Sequence, residues 1–327
     1  MNKPLPFPNL LKRTLRDAFR ICRDLYKILI PVIFLVKVLQ ELDLIPYLAR
    51  PLSPLMGWVG LPGEMGLVWA TALLNTLYSS LVVFLTLVRD NPLTVSQMTV
   101  LCTLMLIAHS IPVELKIAQK TGTRMLFQAV CRLGCALLLG GILHRIYTGL
   151  NVLQQPLILP FQLNEGVFAA KTSLLSWGLG QIRNLLLIFL IIVGLLLLME
   201  VLERIKLIDL MNRLLRPVLK LLGIGPNAST IAIFGITLGI VIGGGLIIHE
   251  AKTGHIPKQD VFYALTLMGL SHSLIEDTLV LMVAGAHLSG ILWARVVFSM
   301  ILVGLIVKGS RRLPASFCDR FLWGDPK

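Results

Sequence analysis

Apolar residues along this chain come in long runs broken by short Pro/Gly-rich and basic stretches, not in the alternation of a half-buried strand. Crossing a hydrocarbon core of ~30 Å takes roughly 20 helical residues, and several runs reach that length. The pattern occurs twice. Each half reads as one long helix (24–44 and 184–205), an irregular segment (46–64 and 209–227), then three further apolar segments. Ahead of the first run, Leu11, Leu15, Ala18, Cys22, Leu25 and Leu29 recur at three- and four-residue spacing, while Lys12, Arg13, Arg16, Arg20, Arg23 and Lys27 fill other positions. This pattern fits an amphipathic helix on an anionic cytoplasmic leaflet, the alternative being a solvated basic arm. No small-x-small cleavage site follows the first run, so it reads as an uncleaved signal anchor.

Sliding the chain on itself by 163 positions superposes Arg20 on Arg183, Arg50 on Arg213, Pro54 on Pro217, Gly60 on Gly223, His109-Ser110 on His272-Ser273, Arg132 on Arg295 and Gly141 on Gly304. His, Arg and Pro are scarce in such a chain, so their coincidence at one offset argues for duplication. The first apolar segment after each irregular stretch is ambiguous. Residues 65–88 contain Asn75, Thr76, Tyr78, Ser79 and Ser80; residues 228–249 contain Thr237, Gly239, Gly243, Gly244 and Gly245. Broken backbone at membrane depth is tolerated only where protein or a water-filled cavity satisfies it, which fits re-entrant hairpins. Complete spans with small residues at a helix contact are the alternative.

Charge favours the hairpins. With an internal N-terminus and both hairpins re-entrant, only Arg50, Arg89, Arg145, Lys171 and Arg183 fall outside. Complete crossings instead put Arg204, Lys206, Arg213, Arg216 and Lys220 outside, against the cytoplasmic bias of Lys and Arg. The expected fold is therefore all-α and integral to the membrane: two inverted repeats, each three transmembrane helices plus one re-entrant helical hairpin. Its expected parts are a basic amphipathic cytoplasmic segment (1–27), a first repeat (28–150), a linker (151–180), a second repeat (181–310) and a basic cytoplasmic tail (311–327).

The densest chemistry is Ser271-His272-Ser273-Leu274-Ile275-Glu276-Asp277-Thr278, in an apolar segment spanning 261–284. His272 sits about 12 residues, roughly 18 Å of helix, from either end of it. On one continuous helix His272 and Glu276 share a face, with Asp277 one residue further round. Ionisable groups at that depth cost about 2.5–3.5 kcal/mol each on insertion scales, so they are expected to face a cavity, a partner or a substrate. The repeat mate is His109-Ser110-Ile111-Pro112-Val113-Glu114, where Pro112 is expected to break the helix just beyond the histidine. Glu114 matches Asp277, while Val113 replaces Glu276.

His109, Ser110, Glu114, His272, Ser273, Glu276 and Asp277 are thus the candidate substrate- or ion-binding residues, and His272 with Glu276 has metal-compatible spacing. Arg132 and Arg295 are candidate charge partners of Glu114 and Asp277, which on a purely structural reading would fix helix packing alone. Asn75, Gly243, Gly244, Gly245, His249 and Glu250 are the candidate hairpin residues; the last two could equally be solvated loop residues. Lys37, Glu200 and Glu203 read as snorkelling side chains near helix ends.

Composition agrees. Of 327 residues 56% are hydrophobic and 14% charged, and the net charge of +13 is spread between apolar runs instead of over a soluble nucleic-acid-binding face. The cysteines Cys22, Cys102, Cys131, Cys135 and Cys318 form no CxxC pair and support neither a zinc site nor a disulfide framework. No GxxxxGK[ST], GxSxG or HExxH motif is present, so no enzyme is expected, and no cofactor.

The strings Gly-Leu-Pro-Gly-Glu (60–64) and Gly-Ile-Gly-Pro-Asn (223–227) before an apolar hairpin, with His-Ser-Leu-Ile-Glu-Asp-Thr (272–278), resemble the bacterial Gate, or nucleoside-recognition, membrane proteins. That domain also occurs in ferrous-iron permeases and resembles the core of concentrative nucleoside transporters. The resemblance covers most of residues 28–310 and implies inverted repeats with re-entrant hairpins. The expectation is a bacterial inner-membrane permease, multi-pass with both termini cytoplasmic. It would move a small solute or ion, a divalent metal or nucleoside-like solute among them, by alternating access around a midplane polar site. The contrasting expectation is a non-transporting assembly protein. Expected partners are the lipid bilayer and the solute or ion, with no nucleic acid; a homo-oligomer or a membrane partner protein stays open.

Overall fold

A computed structural model describes residues 7–42, 44–88, 90–159, 174–204 and 207–326. The centre of the linker with Lys171, as well as Arg89 and Lys206, lies outside them, as do the side chains of Glu203 and Arg204. The described chain is helical apart from two isolated bridges, Thr94 with Pro156 and Thr123 with Trp323. In order it runs through α1 (Phe7–Glu41), α2 (Ile45–Ala49), α3 (Ser53–Trp58), α4 (Met65–Leu74), α5 (Leu77–Leu87), α6 (Val95–Ile107), α7 (Ile111–Lys120) and α8 (Met125–Gly149). Then follow α9 (Leu174–Arg204), α10 (Leu207–Leu221), α11 (Pro226–Leu238), α12 (Ile240–Thr253), α13 (Lys258–Ser271), α14 (Glu276–Val283), a π-helical turn (Ser289–Ala294), α15 (Arg295–Ser310) and α16 (Ala315–Phe321).

Among the described residues, five stretches are long and apolar enough to cross a membrane: Val95–Lys120, Met125–Gly149, Gly178–Leu198, Lys258–Val283 and Ser289–Ser310. The sixth expected span lies on α1 and is not among them. That helix runs unbroken through Pro31, but Lys37 and Glu41, paired at 2.6 Å, interrupt its apolar half. The amphipathic segment and the first long helix are thus one continuous element.

Helices α6 and α13 are buried all round, as expected for the centre of a bundle. They pack on α8, on α15 and on each other, while Leu126, Val130, Trp293, Val297, Ile301 and Leu305 turn apolar faces outward, toward what in a membrane is lipid. A reciprocal cap starts α6: Gln97 N–H donates to Thr94 Oγ1 (3.2 Å) and Thr94 N–H to Gln97 Oε1 (3.0 Å). Arms α4 and α5 pack against each other, as do α11 and α12, so 65–87 and 226–253 are helical hairpins. Their tips fall at Asn75-Thr76 and at Gly239, whose φ of 95° suits only glycine.

Contacts between loops define two ends. At one, Thr94 bridges Pro156, His287 N–H donates to Thr99 Oγ1, and Gln97 Nε2 donates to the Gly60 carbonyl at 2.9 Å. At the other, Arg124 N–H donates to the Leu322 carbonyl, Lys258 pairs with Asp325, and Arg311 Nη2 donates to the Gly223 carbonyl at 3.4 Å.

Candidate functional site

Two helices break at the centre of the bundle. Between α6 and α7 the chain unwinds at Ala108-Ser110, and between α13 and α14 at His272-Ile275; Ser110 (φ 48°) and Ser273 (φ 49°) both take left-handed backbone. Pro112 does not make the first break. It sits in the opening turn of α7, where its missing N–H leaves no helical bond unmade. Hairpin tips dock on both breaks: Ser110 N–H donates to the carbonyls of Ala72 (2.9 Å) and Asn75 (3.0 Å), and Leu274 N–H to that of Ile236 (2.9 Å).

Each break leaves carbonyls of the preceding helix without helical donors, and a buried arginine supplies them. Arg132 Nε donates to the Ile107 carbonyl (2.8 Å) and its Nη2 to that of His109 (3.0 Å); Arg295 does the same for Leu270 (2.9 Å) and His272 (2.9 Å). Arg132 is 2% exposed and Arg295 0%. Such a burial is sustained only by this density of acceptors, helped by the partial negative charge at a helix C-terminus. Arg132 Nη1 also meets Glu114 Oε2 at 2.6 Å. Arg295 Nη1 and Asp277 Oδ2, the corresponding atoms of the second half, have no hydrogen-bond partner among the described residues.

The two breaks bring the histidines together. His109 Nε2 and His272 Nε2 lie 3.0 Å apart, in rings 7% and 2% exposed. Each Nδ1 is 2.9 Å from a backbone carbonyl, of Met105 and Met268 respectively. A carbonyl can only accept, so each neutral ring carries its proton on Nδ1 and turns the bare lone pair of Nε2 to the other. Carboxylates complete the cluster crosswise. Asp277 Oδ2 is 4.0 Å from His109 Nε2, and Glu114 Oε1 is 3.8 Å from His272 Nε2. Every one of these contacts has its counterpart 163 residues along the chain.

His109, Glu114 and His272 offer ligand atoms within 4.8 Å of one another, so these three could hold a metal ion. The shared face expected for His272 and Glu276 does not form, because the chain unwinds between them. Asp277 is the carboxylate near the pair; Glu276 is exposed and accepts a bond from Tyr78 Oη at 3.3 Å. Tyr78, on α5, is a contact that sequence reasoning missed, although it stands among the polar residues that marked the hairpin. Ser110 and Ser273 shape the breaks, and Ser110 Oγ also donates to the Asn75 carbonyl at 2.8 Å. Gly243, Gly244 and Gly245 lie inside α12, where a Cβ on Gly244 would meet Ile117 Cδ1 of α7 at 2.9 Å. His249 and Glu250 sit near the end of α12, where Glu250 faces His255 at 3.6 Å.

A chain whose described residues are helical, with five candidate spans among them and ionisable side chains packed between two broken helices, is a multi-pass membrane protein. Residues 185–288, which include His272, Ser273, Glu276 and Asp277, match the Gate family model, described as nucleoside recognition. The chain is a distant homologue of the uncharacterized membrane protein YvoD of Bacillus subtilis (strain 168), 26% identical over 296 residues that cover 88% of this chain and 91% of that one. No solved structure matches it significantly.

Proposed function

We propose that the protein is a permease that carries a small solute or ion across a bacterial inner membrane by alternating access around the paired histidines. The observation that carries this reading is the meeting of two broken helices at a buried, ionisable centre, the arrangement by which discontinuous helices of inverted repeats bind solutes and coupling ions. Inverted repeats are supported by the recurrence of the site's contacts at one offset. They are supported too by repeat mates Gly60 and Gly223 contacting opposite ends of the bundle, through Gln97 and Arg311. On this reading the two hairpins are re-entrant and α1 is the remaining span. The Gate match adds that transport is a more fitting role than catalysis.

The arginine caps favour a second reading, in which the buried charges only hold the broken helices and the protein acts in assembly. Reconstitution into vesicles, with uptake of a panel of divalent metals and nucleosides, separates the two. As a permease, the protein moves at least one solute, and His272→Ala and Asp277→Asn each reduce uptake by about tenfold or more while the protein stays folded, tenfold being about 1.4 kcal/mol at the transport barrier. Absence of flux for every solute leaves the assembly reading standing, whereas wild-type flux in both variants removes the histidine centre from the transport path.

A further inference from the structure

From the ring tautomers and the crossed carboxylates we infer that the cluster is a binding site for a divalent first-row transition metal, held by His109 Nε2, His272 Nε2 and Glu114, with Asp277 as a further carboxylate beside His109. The inference rests on the permease reading only in making that ion the cargo; the site itself stands on geometry. Two bare lone pairs 3.0 Å apart repel unless a cation lies between or beside them. Both rings are prepared for one in the way metal-ligating histidines are, each donating its other N–H to a backbone carbonyl, which fixes tautomer and orientation. Glu114 Oε1 and Asp277 Oδ2 are buried and accept no hydrogen bond among the described residues, so both are poised as ligands.

The distances suit one shared ion. Two nitrogens each about 2.1 Å from a metal are about 3.0 Å apart at a right angle and about 3.4 Å apart at the tetrahedral angle. The crossed His–carboxylate distances of 3.8 and 4.0 Å fall inside the span of about 4.2 Å that two such ligands can bridge. The ligand atoms of His109, Glu114 and His272 all lie within 4.8 Å of one another, and Asp277, outside that set, comes within 4.0 Å of His109. Two imidazoles with two carboxylates and no thiolate favour zinc, iron(II), cobalt or manganese over calcium or magnesium, which prefer oxygen alone.

Arg132 sets the strength. It takes one oxygen of Glu114 at 2.6 Å and leaves the other turned to His272, so the ligand is shared between a fixed cation and an exchangeable one. A fixed positive charge beside the site weakens the hold on a metal. Transport needs that, since an ion bound too firmly does not leave.

The test uses the full chain, untagged and chelator-washed in detergent, titrated with cobalt(II) as a spectroscopic probe. Wild type is expected to develop visible d–d bands saturating at one equivalent and to lose them on adding zinc. His109→Gln and His272→Gln are expected to abolish the bands; Asp277→Asn raises the dissociation constant about tenfold or more. Exposed His287→Gln leaves it unchanged. Each variant's melting transition and monodispersity are measured alongside, and Asp277→Asn, the mildest change, is decisive if a histidine variant fails to fold. Folded wild type that gives no bands, bands that survive both histidine variants, or nitrogen NMR showing the pair sharing one proton at saturating cobalt overturns the site. Vesicle flux keeps the two claims apart. Cobalt binding without flux defeats the permease and spares the site, whereas nucleoside flux without cobalt binding defeats the site and spares the permease.

Discussion

Gly239 is the residue on which the second hairpin turns. Its backbone, φ 95° and ψ 163°, lies in a region that side chains other than hydrogen do not enter comfortably, and a Cβ there would stand 2.8 Å from Ser273 Oγ, against the break that carries His272. Strain of this kind costs about 1–3 kcal/mol. Gly239→Ala should therefore lower stability in detergent by an amount in that range, read as a lower melting temperature. Gly245→Ala, inside α12 with nothing within 4 Å of its Cβ, should be neutral or stabilise by about 0.5–1 kcal/mol. Equal effects at the two positions would remove the hairpin tip as a constraint on the site. Ser110 and Ser273 carry comparable strain without being glycine, and there the surroundings hold it: hairpin carbonyls accept from the Ser110 amide and hydroxyl, and from the Leu274 amide.

The unit that makes the centre is a broken helix with its remote arginine cap. Arg132→Gln should cost about 3–5 kcal/mol, because it strips two carbonyls of donors and leaves Glu114 charged and buried without its partner. Glu114→Gln should recover part of that loss in the double variant, with a coupling of about 0.5–3 kcal/mol, while Arg132→Lys should not rescue, since one ammonium cannot span the same fork of acceptors. Additive losses would show the pair to be uncoupled. Much of this element was legible in the sequence. The scarce residues His109, His272, Arg132 and Arg295 stood at one offset, and Glu114 and Asp277 stood with them. What side-chain periodicity could not show was the backbone. Left-handed turns at serine move the breaks to the histidines themselves, return Pro112 to an ordinary helix start and turn Glu276 out of the cluster. An arginine that caps a carbonyl 25 residues before it leaves no local signature at all.

At the scale of the whole molecule, the contacts between loops bear on orientation. Arg124, Lys258 and Arg311 make their described contacts at one end, with Leu322, Asp325 and Gly223; Thr94, Gln97 and Thr99 make theirs at the other, with Pro156, Gly60 and His287. The first end also gathers Lys116, Lys120, Lys308, Arg312 and Arg320, and on the proposed topology it is the cytoplasmic one, in line with the bias of Lys and Arg. The proposed topology of six crossings with two re-entrant hairpins puts Gly223 at that end and Gly60 at the opposite one, whereas eight crossings put both at the same end. Single cysteines in a background lacking Cys22, Cys102, Cys131, Cys135 and Cys318 test this. Placed at Arg213 or Lys252, both exposed, they should resist a membrane-impermeant thiol reagent in intact cells and react once the membrane is opened; at the exposed Leu150, just past α8, one should react in intact cells. Labelling at Arg213 from outside would defeat the inverted arrangement, since it is the eight-crossing chain that carries the basic cluster around Arg213 to the outer face.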